Sequence, residues 1–240
     1  MSLLELRDVS AGYGPFRAIF DVSLAVPERG VVALLGANGA GKSTIARVVT
    51  GLVPVQSGAL MFEGHDISRR KAWQIARLGV VHAPEGRSVF GSLTVEENLT
   101  LSLARAKSRK EVAAGLERAY SLFPRLGERH SQNAGTLSGG EQRMLSLARV
   151  LVDPPRLLVV DELSLGLAPK IIDELYATLR RVNEAGTALL IVEQYVARAV
   201  SLAQSVVVLQ HGEVVFDGSV DELGDASDRL LATHSQLESS

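Results

Sequence analysis

Eight residues restrict the possible fold of this chain more than any others: Gly36-Ala37-Asn38-Gly39-Ala40-Gly41-Lys42-Ser43. They fit the pattern G-x-x-x-x-G-K-S/T, in which the backbone N–H groups of a glycine-rich loop surround phosphate oxygens. The apolar run Val31–Leu35 before the loop predicts a buried strand, and a helix is predicted from Lys42 to near Gly51. This order predicts a nucleoside triphosphate site, in which Lys42 reaches the β- and γ-phosphates and Ser43 binds Mg²⁺.

The rest of the chain alternates strands with helices. The apolar runs Leu157–Val160 and Ala188–Val192 predict two more strands covered on both faces, as in a parallel sheet with right-handed crossovers. Two early segments, 3–9 and 19–26, instead alternate apolar with polar residues, and a late hairpin is predicted around 210–213. The predicted fold class is α/β, with a mostly parallel core sheet and an antiparallel portion that contains the early strands and the late hairpin.

The stretch from residue 85 to residue 152 is predicted to be mostly helical. It contains three capping-box patterns, in each of which a side chain bonds N–H groups at a helix start: Thr94-x-x-Glu97, Ser108-x-x-Glu111 and Ser138-x-x-Glu141. We interpret 85–152 as a helical subdomain inserted within one domain that spans 1–240. Other helices are predicted from Ser68 to Gly79 and from Pro169 to near Gly186, and 235–240 is predicted to be a disordered tail.

Composition excludes several classes of site and partner. The chain has no cysteine, which excludes disulfides, thiolate metal sites and cysteine nucleophiles. Its formal net charge of −2 disfavours a nucleic-acid partner, which usually requires a basic excess. No apolar run approaches the roughly 20 residues that a membrane span needs, and the first residues do not fit a signal peptide. We therefore expect a protein that does not itself enter a membrane.

Two carboxylates, Asp161 and Glu162, end the strand predicted at Leu157–Val160. Ligands of open parallel sheets bind beyond the carboxyl ends of the strands. Asp161 is therefore predicted to face Mg²⁺ through a water, and Glu162 to orient or deprotonate the attacking water. Tyr13, in a glycine-flanked turn, offers a face for base stacking worth about 1–3 kcal/mol, although a turn tyrosine that serves only packing is the alternative.

A second glycine-rich helix start lies at Leu137-Ser138-Gly139-Gly140-Glu141, without a lysine beside its glycines. Ser138 and Glu141 form a capping box, and the two glycines expose N–H groups, which predicts an anion at this helix end. An ordinary capped helix would explain Ser138 and Glu141. It would not explain two adjacent glycines in a first turn, because each costs about 1 kcal/mol relative to alanine.

Residues 137–141 resemble the signature sequence of ABC-type ATPases, and the two phosphate-site motifs flank them in the order and spacing of that family. The resemblance covers essentially the whole chain and implies a P-loop NTPase fold. It also implies that two such domains pack head to tail, so that the signature loop of one caps the ATP γ-phosphate held by the other. The nucleotide contacts that it implies are Tyr13, Gly36, Asn38, Gly39, Ala40, Gly41, Lys42, Ser43, Thr44, Ser138, Gly139, Gly140 and Glu141.

Three positions depart from the pattern of that family. Glu85 stands where a glutamine is usual, Gln194 where a histidine contacts the γ-phosphate, and Ala168 where an aspartate is common. Gln194 can still donate an N–H to phosphate but cannot change its charge near neutral pH. The predicted catalytic residues are Lys42, Glu162 and Gln194. The predicted metal contacts are Ser43, Asp161 and Glu85, and the sequence leaves open whether Glu85 holds the metal or disfavours the metal-free site.

Residues 84–99, 164–169 and 192–194 resemble ATP-binding subunits of branched-chain amino acid importers. This resemblance implies two transmembrane permease subunits, a related ATP-binding subunit and, indirectly, an extracytoplasmic substrate-binding protein. It places the chain at the cytoplasmic face of the inner membrane, with the region around 87–98 against the permease. A homodimer stays open as an alternative to the mixed pair.

Other functions compete with this interpretation. A soluble ABC-type ATPase of an assembly complex is one alternative, and an importer of another small substrate, such as urea or an amide, is a second. A GTPase or a small-molecule kinase is disfavoured, because the signature loop would be unexplained and no Asn-Lys-x-Asp guanine motif occurs.

Overall fold

Two β-sheets and eight α-helices form the part of the chain that the structure describes. The structure is a computed structural model that describes residues 2–83, 86, 88–103, 108–194 and 196–223. The strands are β1 Ser2–Tyr13, β2 Phe16–Pro27, β3 Val31–Leu35, β4 Val55–Phe62, β5 His65–Asp66, β6 Val80–Ala83, β7 Leu157–Asp161, β8 Ala188–Glu193, β9 Ser205–Gln210 and β10 Glu213–Ser219. The helices are α1 Lys42–Val49, α2 Ala72–Arg77, α3 Val95–Ser102, α4 Arg109–Leu122, α5 Pro124–Glu128, α6 Gly139–Leu151, α7 Pro169–Glu184 and α8 Val196–Val200.

The predicted phosphate-site residues lie at the ends of strands of the larger sheet. Its order is β10-β9-β3-β8-β7-β6, and all neighbours are parallel except β9 and β10. Leu35 of β3 lies opposite Glu193 of β8, and Asp161 of β7 lies opposite Val192. The carboxyl ends of β3, β8 and β7 therefore meet along one edge, where ligands of such sheets bind.

Both faces of this sheet are covered, which explains why β3, β7 and β8 are apolar at successive positions. Val31, Ala33 and Leu35 of β3 belong to one hydrophobic cluster, which extends into α3, α4, α6 and α7. Val32 and Leu34 belong to a second cluster, which lies against α1, β1, β2 and β4. Because successive side chains of a strand point to opposite faces, an unbroken apolar run fits a strand between two cores.

The smaller sheet is antiparallel, with the order β2-β1-β4-β5. The prediction of early antiparallel strands is confirmed at β1 and β2, but the late hairpin does not join them. The hairpin β9–β10 instead extends the parallel sheet, because β9 pairs in parallel with β3 from Val32 to Leu35. That pairing joins segments about 170 residues apart, so no local pattern in the hairpin could indicate it.

Helices α3 to α6 lie in the stretch that was predicted to be helical, and three of their starts were anticipated. Thr94, Ser108 and Ser138 each accept a hydrogen bond from the backbone N–H three residues on, at 3.2, 3.2 and 3.3 Å. The short helix α5 was not anticipated. Whether 85–152 behaves as a subdomain of one domain spanning 1–240 stays a prediction, and the tail predicted at 235–240 lies outside the described residues.

The predicted helix at Ser68–Gly79 starts later than expected. It begins at Ala72, where the Gln74 side chain accepts from the N–H of Lys71 at 2.9 Å. The Ser68 hydroxyl instead accepts from the N–H of Leu60 at 2.8 Å, which ties the turn to β4. Strands β4 and β5 and helix α8 were not predicted. Across the described ranges, no helix combines the length and the apolar character needed to span a bilayer.

Candidate functional site

The loop Gly36–Ser43 follows β3 and has a backbone that only glycine suits at two positions. Gly36 has φ of 153° and Gly41 has φ of 105°. A Cβ on Gly36 would lie 2.4 Å from the carbonyl oxygen of Leu209, and one on Gly41 would lie 2.8 Å from Ile19 Cγ2. The hairpin and β2 therefore pack closely against the loop and restrict its conformation. Helix α1 begins directly after Gly41.

Lys42 is buried inside this loop rather than extended into solvent. Its side chain is 4 % exposed, and Nζ donates to the carbonyl oxygens of Gly36 at 2.9 Å and Ala37 at 3.0 Å. Burial lowers the pKa of Lys42, while the nearby carboxylates of Glu162 and Asp161 oppose that shift. The ammonium group is thus held at the start of α1, where the helix dipole also favours an anion.

Ser43 and Asp161 meet at the sheet edge, although 118 residues separate them. Ser43 Oγ donates to Asp161 Oδ1 at 3.3 Å, and Asp161 is only 3 % exposed. A hydroxyl and a carboxylate oxygen are donors that Mg²⁺ prefers. In the described part of the chain, no group of three or more His, Cys, Asp or Glu side chains could hold a metal ion. The donor set therefore fits Mg²⁺ bound together with substrate phosphates and water, which is how that ion is usually held.

His82 lies beside Asp161, a contact that the sequence analysis missed. His82 Nε2 is 3.8 Å from Asp161 Oδ2, which is too long for a hydrogen bond. Nε2 is buried and is the single buried side-chain atom that lacks a hydrogen-bond partner among the residues described. His82 is on β6, which pairs with β7, and the sequence carried no signal for that pairing.

The backbone of Glu162 has an unfavourable conformation. Its φ is 46°, in the left-handed region, where a residue other than glycine costs about 1–3 kcal/mol. Its N–H donates to the carbonyl oxygen of Val192 at 2.9 Å. Its side chain lines a cavity of about 200 Å³, together with Gly39, Lys42 and Ser43 of the loop. The structure thus brings the predicted catalytic carboxylate to the predicted phosphate site.

Tyr13 also lines this cavity and is 46 % exposed. Its hydroxyl accepts from Arg47 Nη1 at 2.9 Å, and the guanidinium carbon of Arg47 is 6.0 Å from the ring centre. Arg47, on α1, also lines the cavity, and sequence reasoning missed it. The exposed ring of Tyr13 is consistent with base stacking, which stays a prediction.

The capping box predicted at Ser138–Glu141 is present, and the anion predicted at this helix start stays a prediction. Ser138 Oγ accepts from the N–H of Glu141 at 3.3 Å, and Glu141 Oε2 accepts from the N–H of Ser138 at 2.9 Å. Arg129 Nε lies 3.0 Å from Glu141 Oε1. Burial raises the pKa of Glu141, but the bonds from Ser138 and the charge of Arg129 outweigh it, so the pKa is lowered overall.

One of the two signature glycines has a packing role that the sequence analysis did not consider. A Cβ on Gly140 would lie 3.1 Å from Ile171 Cγ1 of α7, so close approach of α6 and α7 favours glycine there. Gly139 instead lines a separate cavity of about 150 Å³, with Glu162 and Leu165. Ser138 is exposed, and no residue of 138–141 is among the described residues that line the loop cavity.

Gln194 is exposed and follows β8 directly, between the ends of β3 and β7. It is therefore at the predicted edge, and its contact with phosphate stays a prediction. Glu85 lies outside the described residues. Asn38, Gly39, Ala40 and Thr44 lie in or directly after the loop as predicted.

Comparison with known proteins decides the family. Residues 19–164 match the sequence profile of a family described as ABC transporter, a range that contains the loop, the signature residues and Asp161-Glu162. The chain belongs to this family.

The relatives of the chain agree with this assignment. Over 213 residues it is 40% identical to "High-affinity branched-chain amino acid transport ATP-binding protein BraG" of Pseudomonas aeruginosa, which covers 89% of this chain and 91% of that protein. Over 222 residues it is 33% identical to "Probable branched-chain amino acid transport ATP-binding protein LivF" of Archaeoglobus fulgidus, with coverage of 92% and 94%. A solved structure of an "ATP binding subunit of ABC transporter" is 30% identical, with a TM-score of 0.81 and coverage of 92% and 91%.

Membership of the ABC transporter family makes the chain a nucleotide-binding ATPase. The predicted fold class and the predicted family are both confirmed. The family signature lies on α6, and Arg143 of that helix was missed as a site residue. Arg143 is 5 % exposed, and its Nη2 donates to the carbonyl oxygens of Asp161 at 3.1 Å and Glu162 at 3.0 Å.

Proposed function

We propose that this chain is the ATP-hydrolysing subunit of an ABC importer for branched-chain or related amino acids. One observation carries the proposal: the chain holds a phosphate loop with its carboxylates at one edge, and a separate exposed helix start that does not line the cavity of that loop. The printed names of the relatives supply the substrate class. Binding of ATP between two such domains drives dimer closure, and hydrolysis resets it.

Within one chain, the loop and α1 bind the triphosphate. Backbone N–H groups of Gly39, Ala40 and Gly41 surround phosphate oxygens, and Lys42 exchanges its two carbonyl contacts for the β- and γ-phosphates. The exposed ring of Tyr13, which lines the cavity, stacks on adenine. Ser43 and Asp161 would hold Mg²⁺, which would supply charge neutralisation for the triphosphate.

Glu162 orients the attacking water and accepts its proton, because it lines the same cavity as Lys42 and its charge acts on the Lys42 ammonium group. Gln194 donates an N–H to the γ-phosphate from the neighbouring strand end. Most of the acceleration comes from positioning and charge stabilisation, since phosphoryl transfer needs little covalent help from the protein.

The signature residues act on the ATP of a second subunit. N–H groups of Gly139 and Gly140 at the start of α6, with the Ser138 hydroxyl, contact the γ-phosphate held by the partner. The capping box satisfies two orphan N–H groups, those of Ser138 and Glu141, and fixes the helix start, which leaves the N–H groups of Gly139 and Gly140 for the phosphate. Each subunit therefore contributes to two composite sites.

The permease contacts this subunit around 87–98 and the adjoining helical surface. Phe90 and Leu101 are half exposed there, which suits an apolar partner surface. Asn98 is fully buried and holds Phe90 by accepting from its N–H at 2.8 Å and donating to its carbonyl oxygen at 3.0 Å. The complex that we propose contains two permease subunits and a related ATP-binding subunit at the cytoplasmic face of the inner membrane, and it works with an extracytoplasmic substrate-binding protein.

The first experiment tests the composite site with Glu162→Gln. The variant is expected to bind ATP as the wild type does, to hydrolyse it slower by orders of magnitude, and to elute as an ATP-dependent dimer in size-exclusion chromatography with light scattering. Adding Lys42→Ala should abolish both nucleotide binding and the dimer. Turnover by Glu162→Gln at the wild-type rate would remove Glu162 from its role.

A matched variant tests the signature residues separately. Gly139→Asp keeps the start of α6, because an acidic residue suits a helix N-terminus, but its charge repels phosphate. On the Glu162→Gln background it should abolish the ATP-bound dimer while the affinity of the monomer for ATP stays unchanged. Weaker binding of ATP by the monomer would place the signature in its own site and contradict the proposal.

The transport assignment is tested by copurification. We expect multi-span membrane subunits to copurify with this chain. Transport of leucine-type amino acids by that complex should require Lys42. A soluble scaffold in their place would support an assembly ATPase instead.

A further inference from the structure

A buried carboxylate stands at the end of β8 and has no part in the roles proposed above. Glu193 is 1 % exposed, in a position where an unsatisfied carboxylate would be strongly destabilising. Its Oε1 accepts from the N–H of Ser164 at 3.1 Å and from the Tyr176 hydroxyl at 3.2 Å. Its Oε2 accepts from the Ser164 hydroxyl at 2.9 Å. Both donors are themselves buried, so these bonds have no competition from bulk solvent.

The residue that Glu193 holds lies two positions after Glu162. Glu162 has a left-handed backbone that is unfavourable for its residue type, and such a conformation persists only where the surroundings enforce it. The turn 162–164 is fixed to β8 at both of its ends. The N–H of Glu162 bonds to the carbonyl oxygen of Val192, and both the N–H and the hydroxyl of Ser164 bond to Glu193. Between these anchors, Leu163 is 1 % exposed in the core.

We propose that Glu193 is a positioning residue, which holds the turn 162–164 so that the Glu162 carboxylate keeps its place beside the phosphate loop. The inference rests on the proposed function, because it assumes that Glu162 acts on the attacking water. Tyr176, on α7, also fixes the Glu193 carboxylate, because its hydroxyl donates to the same oxygen, Oε1, as the Ser164 N–H. Glu193 also directly precedes Gln194, so one carboxylate ties the turn of the catalytic glutamate to the strand end that carries the proposed γ-phosphate contact.

The hydrogen-bond pattern predicts which substitutions are tolerated. Glu193→Gln keeps an oxygen that accepts from the Ser164 N–H and the Tyr176 hydroxyl, and its new amide N–H can donate to the Ser164 hydroxyl oxygen. Glu193→Met has a similar length but accepts no comparable hydrogen bond. A positioning role therefore requires that glutamine rescues and methionine does not.

The experiment measures kcat and KM for ATP with the assembled transporter, and the affinity of the purified subunit for a fluorescent ATP analogue. Glu193→Met is expected to lower kcat on the order of 100-fold, because small displacements of a catalytic group have effects of that size. Both variants remove the carboxylate charge that acts on Lys42, so any change in affinity for the analogue should be small and equal in Glu193→Met and Glu193→Gln, because neither alters a hydrogen bond of the phosphate loop. Glu193→Gln should stay within about tenfold of the wild-type kcat.

Tyr176→Phe provides a milder test that does not depend on the stability of the Glu193 variants. Loss of one hydrogen bond to a carboxylate should reduce kcat about tenfold. Thr178→Val is the control, since Thr178 lies on the same helix as Tyr176 and is also buried, but its hydroxyl donates to the carbonyl oxygen of Glu174, at 2.9 Å, and not to Glu193. That control should leave kcat unchanged.

Measuring Glu162→Gln in parallel separates this inference from the proposed function. If Glu162→Gln turns over ATP normally, the proposed function itself fails. If Glu162→Gln is slow while Glu193→Met and Tyr176→Phe retain the wild-type kcat, only the positioning role is overturned. Equal losses of kcat and of analogue affinity in Glu193→Met, or a Glu193→Gln variant as slow as Glu193→Met, would also overturn it.

Discussion

The phosphate loop offers a pair of matched substitutions that separates backbone strain from steric exclusion. Gly39 and Gly41 both have positive φ, at 78° and 105°. A Cβ on Gly39 would meet nothing within 4 Å, whereas one on Gly41 would lie 2.8 Å from Ile19 Cγ2 and 2.9 Å from the carbonyl oxygen of Ala18. Gly39→Ala therefore carries only the cost of a left-handed alanine, about 1–2 kcal/mol. Gly41→Ala adds an overpacking cost of about 1–3 kcal/mol, for a total of about 2–5 kcal/mol.

Two measurements capture this difference. Urea unfolding, followed by circular dichroism, gives the free energy of unfolding of each variant. If the loop shifts to relieve the close contact, part of the cost appears instead as weaker binding of ATP, which a titration with a fluorescent ATP analogue measures. For each variant we add the loss of unfolding free energy to the loss of binding free energy. We expect this sum to be larger for Gly41→Ala than for Gly39→Ala by at least about 1 kcal/mol. Equal losses in the two variants would show that contact with β2 does not shape the loop, and would refute the reasoning.

Three further predictions concern the neighbouring residues. Tyr13→Ala should weaken ATP binding by about 1–3 kcal/mol in a titration, whereas Tyr13→Phe should change it by less than about 1 kcal/mol, because the bond that the phenol makes with Arg47 is exposed. Arg143→Met should cost about 3 kcal/mol of unfolding free energy in urea, since it removes the bonds to two carbonyls at the end of β7. The lowered pKa of Glu141 stabilises the fold at pH values above the pKa of an unfolded glutamate, so the stability lost by Glu141→Gln should shrink as the pH falls through that lowered pKa.

The strands of the parallel sheet and the phosphate loop could be predicted because their signals are local. Val31–Leu35 is apolar at every position since two cores cover it, and the loop requires its glycines and lysine in a fixed order. Capping boxes such as that of Ser138 are likewise complete within four residues. The interactions that determine these features join residues that are close in sequence, so a short segment is enough to predict them.

The features of the site that were missed depend on contacts between distant segments. The bonds of Glu193 with Ser164 span 29 residues, and those of Arg143 with the end of β7 span 18 and 19. Nothing in the sequence near Arg143 distinguishes a buried arginine from one that lies on a solvated helix face. The position of the hairpin depends in the same way on β9 reaching β3, which is determined by packing of the whole sheet.

The location of Arg143 on α6 links events at two different nucleotides. The helix begins beside Ser138, which we propose contacts the ATP of a second subunit, and five residues later Arg143 bonds to the backbone of the chain's own Asp161 and Glu162. Because both contacts belong to one helix, we expect a displacement of its first turn to shift Arg143 and, with it, the backbone of Asp161 and Glu162. Hydrolysis at one nucleotide would then depend on the state of the other.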